Sequence, residues 1–185
     1  IISNLVDTEQ PIDNSKRDFI KKSITLGIIG ISGTATGLGF YNSRKGPSVI
    51  KHDIFLESLP ESFNNFTIAQ ISDLHIGPTI KRPYVENVLD KISIHNPDLI
   101  AVTGDLVDGS VQYLRSDLAP LKDMIAPFGT YFVTGNHEYY SGVDLWLDET
   151  DRLGMKNLIN SNELVSRWGD QIAIAGITDL KAHQI

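Results

Sequence analysis

Asp73 and His75 stand two residues apart, Asp105 follows Gly104, and Asn136 and His137 follow Gly135. Positions i and i+2 of a chain leaving a strand point the same way, so a carboxylate and an imidazole at 73 and 75 can grip one metal ion. Asp105 brings a second carboxylate, whose two oxygens can bridge two ions. Asn136 offers an amide oxygen to the second ion, with a His137 ring nitrogen beside it. Glycines at 104 and 135 let the backbone turn sharply beneath a ligand residue. Two divalent ions held close together clamp a phosphate and hold a hydroxide for in-line attack. The chain has no cysteine, which excludes disulfides, thiolate metal sites and cysteine nucleophiles. An N/O donor set of this kind favours Mn, Fe or Zn.

Any one of Asp73, Asp105 and Asn136 alone reads as a turn or cap residue. As a set they read differently, because each follows an apolar run. Strands are expected over 49–56, 66–72, 99–103 and 130–134, with short strands over 157–159, 163–167 and 171–175 and a hairpin turn around Gly169 and Asp170. Helices are expected over 83–94, stopped by Asn96 and Pro97, over 113–125, and over 143–153, ended by Gly154. Strands alternating with helices imply an α/β layered fold, in which ligands gather at the carboxyl ends of strands. The three polar clusters should therefore open on one edge of one sheet. Trp146 and Trp168 are expected in the core, and His52 and His95 on the surface.

Composition agrees with a globular domain carrying a tail. Of 185 residues, 41% are hydrophobic and 21% charged, an ordinary mixture. The net charge of −7 and pI near 5.1 give no nucleic-acid-binding signal. Residues 23–40 contain no charged side chain, a length at the lower end for a bilayer-spanning helix. Lys16, Arg17, Lys21 and Lys22 precede it, which favours an N-in orientation with the remainder exported. The stretch from Ser15 to Lys21 resembles a twin-arginine export signal with Lys16 in place of the first arginine. The expected organisation is a polar, basic region at 1–22, a signal or membrane anchor at 23–40, a linker at 41–48 and a catalytic domain over 49–185.

The three clusters together resemble the calcineurin-like metallophosphoesterase family. Its pattern D-x-H, G-D and G-N-H-[DE] is matched by Asp73-Leu74-His75, by Gly104-Asp105 with Asp108 close behind, and by Gly135-Asn136-His137-Glu138. The run from Ile71 to Gly77 resembles the bacterial, membrane-associated phosphodiesterase branch. The resemblance implies a layered β-sandwich flanked by helices. It implies that Asp73 and His75 bind a first metal, Asp105 bridges, Asn136 binds a second, and His137 contacts the phosphate and aids the leaving group. Glu138 and Asp108 would support them from behind, Glu138 by holding His137. The cofactors implied are two divalent ions (Mn, Fe or Zn). The substrate implied is a phosphodiester or phosphomonoester, lipid-linked or nucleotide-type, for example like UDP-diacylglucosamine, met by a membrane-anchored or exported domain on the extracytoplasmic side.

The family also has later histidines, one alone and two in a G-H-x-H motif, that this sequence lacks. His183 follows His137 without matching context. The chain, which begins at Ile1, is therefore read as the N-terminal half of a metallophosphoesterase domain with little turnover by itself. Two other readings compete with a phosphodiesterase: a catalytically inactive binding or scaffold module, and a protein phosphoserine phosphatase.

Overall fold

Three β-rich runs, 68–71, 99–103 and 130–133, cannot each bury both faces unless they lie side by side under a cover. The computed structural model, which describes residues 14–44 and 46–180, shows how they do so. Strands β1 (Ile68–Ile71), β2 (Leu99–Thr103), β3 (Thr130–Val133) and β4 (Lys156–Asn157) form a parallel sheet in the order β1-β2-β3-β4. Helices α2 (Arg82–His95), α3 (Val111–Leu118) and α5 (Val143–Arg152) make the crossovers. Strands β5 (Ser161–Arg167) and β6 (Asp170–Gly176) form an antiparallel hairpin. The N-terminal α1 (Asn14–Arg44) belongs to a separate unit that ends at Lys45.

Alternation along the strands assigns each face. Ile100, Val102 and Phe132 pack with Val85, Val88, Leu114, Leu118 and Trp146 in the helix-side core. Leu99 and Tyr131 pack with Phe63, Leu158 and Val165 on the hairpin side. The sheet is thus covered by helices on one face and by the hairpin on the other, the layered arrangement expected.

Local chemistry sets the element ends. Pro83 occupies the first turn of α2, and Asn96 closes that helix in the left-handed region at φ 43°, a conformation asparagine tolerates. Helix α5 ends in a Schellman pairing, with Gly154 N–H donating to Asp151 O at 2.9 Å and Met155 N–H to Thr150 O at 3.0 Å. The single helix expected over 113–125 is instead α3 followed by a 3-10 turn, Ala119–Asp123. Pro120 has no N–H to continue the α-helical ladder.

Two further expectations are corrected. Residues 49–56 form no strand, and Val49, Ile50, Ile54, Phe55 and Leu56 are all exposed. An apolar run becomes a strand only with a neighbour to bond, and among the described residues none pairs with it. Trp146 is fully buried, but Trp168 is exposed, because it occupies the tip of the β5–β6 turn. The uncharged stretch at 23–40 lies within α1, a helix of 31 residues that is long and apolar enough to cross a membrane. His183 lies outside the described residues. His52 and His95 are exposed.

Helix α5 is pinned to α3 by a buried acid. Glu149 is 1% exposed and pairs with Arg115 of α3 at 3.0 Å and with Arg152 at 2.6 Å. The Arg152 hydrogen bonds hold its carboxyl below the usual glutamate range against the opposing pull of burial, and Arg115 adds to the effect. A depressed folded pKa contributes stability that is present above the ordinary glutamate range and is lost as pH falls through the folded value. Glu149→Gln is therefore expected to cost about 1–3 kcal/mol at neutral pH. Urea unfolding of both proteins from neutral to acid pH should show the gap closing as the acid protonates. A gap that stays constant to low pH would remove the ion pairs from this account.

Candidate metal centre

The candidate site is built on the carboxyl ends of β1, β2 and β3. Asp73 and His75 lie just beyond Ile71, Gly104 and Asp105 follow Thr103, and Gly135 to Glu138 come just after Val133. Because these strands are adjacent and parallel, the three loops meet, as the sequence pattern requires.

The backbone reaches this convergence differently from the extended i, i+2 geometry expected. Asp73, His75 and Asp105 all sit in the left-handed region, at φ 57°, 45° and 49°. Each such non-glycine residue costs about 1–2 kcal/mol. Hydrogen bonds between the loops hold them there: Asp73 N–H to Gly104 O at 3.2 Å, His75 N–H to Asp105 O at 3.0 Å, Ile76 N–H to Leu106 O at 2.9 Å and Asp108 N–H to Ile76 O at 2.8 Å. The parallel pairing of β1 and β2 thus continues past the strands as far as Ile76 and Val107.

His75 Nε2 lies 3.7 Å from Asp73 Oδ1 and 3.9 Å from Asp105 Oδ2. These separations exceed hydrogen-bond reach but suit donors that share one ion at ordinary N/O bond lengths. The Asn136 amide lies beside Asp105, its nitrogen donating to the two carboxylate oxygens at 3.1 and 3.2 Å. Among the described residues no lysine or arginine pairs with Asp73, Asp105 or Asp108, whose ion-pair partners are His75 and His137. A cluster of three carboxylates and two imidazoles without a cationic side chain fits divalent ions.

Asp108 has a more definite place than its position in the sequence gave it. One carboxylate oxygen meets His75 Nδ1 at 3.2 Å and the other meets His137 Nδ1. A carboxylate on Nδ1 fixes the ring and leaves Nε2 as the outward nitrogen. The two imidazoles meet edge to face, with centroids 4.5 Å apart. The Asp108 loop is itself anchored from below, because the buried Trp146 donates its indole N–H to Gly109 O at 3.0 Å. The tryptophan's part was missed from the sequence, where nothing linked position 146 to position 109.

Glu138 does not hold His137. Its carboxylate, 1% exposed, accepts the backbone N–H groups of Gly135 at 2.7 Å, Asp105 at 3.0 Å and Leu106 at 2.8 Å. Burial pushes this carboxyl up, and the three N–H donors pull it partly back. The reach to Gly135 N–H is half of a capping box for α4 (Asn136–Ser141). Asp105 returns the link by accepting His137 N–H at 3.0 Å. The glycines are required by this closeness: a Cβ on Gly104 would stand 2.5 Å from Gly135 N, and one on Gly135 would stand 2.5 Å from Asp105 N.

The sequence profile of calcineurin-like phosphoesterases matches residues 66–183, the stretch that carries every one of these loops. The chain belongs to the calcineurin-like phosphoesterase family. It is 38% identical over 80% of its length to a transmembrane protein with metallophosphoesterase domain from Danio rerio, and 35% identical over 79% to the protein of that name from Bos taurus. An uncharacterized metallophosphoesterase of Helicobacter pylori is 29% identical over 92% of the chain. The chain spans 35%, 34% and 43% of those relatives. Vertebrate and bacterial relatives appear together, so the likeness extends beyond a bacterial branch.

In this calcineurin-like chain, Glu138→Gln keeps the shape and replaces one acceptor oxygen by a donor. At least one buried N–H then loses its partner, at a cost of about 1–3 kcal/mol. The expected result is a lower urea midpoint with faster hydrogen exchange at the Asp105, Leu106 and Gly135 amides. Unchanged exchange at all three would show that Glu138 does not hold the loops.

Proposed function

We propose that the chain supplies the metal-binding face of a metal-dependent phosphoester hydrolase, acting as a phosphodiesterase with two divalent ions, Mn, Fe or Zn. The observation that carries this reading is the meeting of Asp73, His75, Asp105 and Asn136 at three adjacent strand ends without a cationic side chain among the described residues. Asp73 and His75 would hold a first ion and Asn136 a second, with Asp105 available to both. Ions bound there supply Lewis acidity toward phosphoryl oxygens and a hydroxide nucleophile at neutral pH.

The remaining residues position and move protons. Asp108 fixes His75 and His137 through Nδ1, so that both present Nε2. His75 Nε2 points to Asp73 and Asp105. His137, beside Asn136 on α4, contacts the phosphate and gives a proton to the departing oxygen. Glu138 keeps the Asp105 loop closed against Gly135.

The substrate is a phosphodiester, lipid-linked or nucleotide-type. Support comes from α1, an apolar helix long enough to cross a membrane, and from relatives named as transmembrane proteins. The basic residues before the apolar stretch support an extracytoplasmic hydrolase. The organisation that follows is a basic lead at 1–22, an anchor, a short linker and a hydrolase domain from residue 49.

The full-length protein should hydrolyse bis(p-nitrophenyl) phosphate only with Mn or Zn added. Asp105→Asn should reduce that hydrolysis to background, and Asp108→Ala should reduce metal affinity or activity roughly 10–100-fold. Hydrolysis that survives Asp105→Asn, or that needs no metal, would defeat the proposal.

A further inference from the structure

The tip of the β5–β6 hairpin carries a residue that folding does not explain. The hairpin turns through Trp168 and Gly169, at φ 51° and 97°. Two-residue turns of this hand favour Asn, Asp or Gly at the first position, and a bulky aromatic there is strained. Trp168 occupies it while remaining 84% exposed. The Arg167 guanidinium lies 4.7 Å from the Trp168 ring, and 5.7 and 5.8 Å from the Phe66 and Phe128 rings.

The tip's place in the fold is clear. Phe66 and Phe128 come just before β1 and β3, so the tip lies at the amino end of the sheet. At the other end of the hairpin Gly176 meets Leu158 and Val133, next to the metal-site loops. Ile94 and Ile125, which lead into β2 and β3, are also exposed. Tyr140, Ile177 and Leu180 are exposed toward the other end, so what distinguishes the amino end is the tryptophan on its strained turn.

The chain itself indicates what meets this end. The helix long enough to cross a membrane ends at Arg44, and the globular unit begins at Gly46, which lies against Asn87 of α2. A spanning α1 would hold a unit joined to it so closely within reach of the bilayer surface. Tryptophan favours the headgroup level, where its ring is partly buried and its N–H stays wet. The Arg167 guanidinium is held among the three rings with Nη1 buried, which leaves Trp168 as the exposed group at the tip.

We propose that the hairpin tip, Trp168 backed by Arg167, docks on the lipid headgroup layer of the membrane that α1 anchors. The proposal rests on the membrane reading given above. Docking by the amino end turns the carboxyl-end loops toward water. Of the two substrate classes, it favours a soluble, nucleotide-type ester.

The test uses the full-length protein in vesicles of phosphatidylcholine with a minority of phosphatidylserine, with and without acyl chains brominated close to the headgroup. Subtracting the emission of Trp168→Phe from that of the unaltered protein isolates Trp168. The Trp168→Asn variant suits the turn better and checks the subtraction in a protein whose fold is not at issue. The expected Trp168 emission is blue-shifted and quenched about two-fold by the brominated lipid. Water-like, unquenched Trp168 emission in protein that floats with the vesicles overturns the docking alone. Protein that does not float with them overturns the anchor and the docking together. Metal-dependent hydrolysis measured on the same vesicles reports separately: its absence overturns the phosphodiesterase reading and leaves the fluorescence result standing.

Discussion

The buried Glu138 carboxylate joins two loops that come from different strands. Through Asp105 and Leu106 it holds the chain leaving β2, and through Gly135 it holds the chain leaving β3. Most of the metal-site geometry depends on that link. Asp105 is fixed in a left-handed conformation directly beside Glu138, and its own carboxylate caps the His137 N–H. A charge this deeply buried would be costly if unpaired, and three charge-assisted bonds repay part of that cost. The same closeness forbids side chains at Gly104 and Gly135. One acid therefore determines the spacing between two ligand-bearing loops and the residue types allowed around them.

The first loop is held by a different balance. Three left-handed residues cost about 1–2 kcal/mol each, and four interloop hydrogen bonds contribute about 0.5–1.5 kcal/mol each. The two sums are comparable. The Asp73–Asp105 region thus keeps its shape without much surplus, while like charges on Asp73, Asp105 and Asp108 work against it. Strain and repulsion concentrated in one place, on an otherwise well-packed sheet, mark a region shaped for a ligand rather than for stability.

Much of this was legible in the sequence, for specific reasons. Apolar runs at 99–103 and 130–134 gave parallel strands because strands buried on both faces leave an unbroken apolar signature. The loops met because parallel neighbours place all their carboxyl ends on one edge. Side-chain destinations were harder to read. Glu138 follows His137 in the chain, and only the capping geometry of α4 turns it back toward Gly135 and the Asp105 loop. Asp108 reaches both imidazoles because the β1 and β2 loops keep pairing beyond their strands, through left-handed residues that a repeat of two does not encode. The run at 49–56 has strand composition, but pairing depends on a partner that local composition does not report. Trp168 was misplaced because aromatic residues in strand-rich segments usually turn inward, and a two-residue turn overrides that tendency.

The two ends of the sheet differ in what stabilises them, and that difference bears on where this chain can carry surface features. At the carboxyl end, short polar loops are held by hydrogen bonds to buried groups, and chemistry depends on positions fixed to fractions of an ångström. At the amino end, connections are closed by aromatic contacts among Phe63, Phe66 and Phe128, with ring centroids 5.3 and 5.1 Å apart. Such contacts tolerate changes in the turns outside them, because apolar packing has little directional demand. The amino end can therefore acquire surface features, such as an exposed tryptophan on a hairpin turn, without disturbing Asp105 or His75. Separating hydrogen-bonded loops from apolar packing along the strand axis lets one sheet carry both.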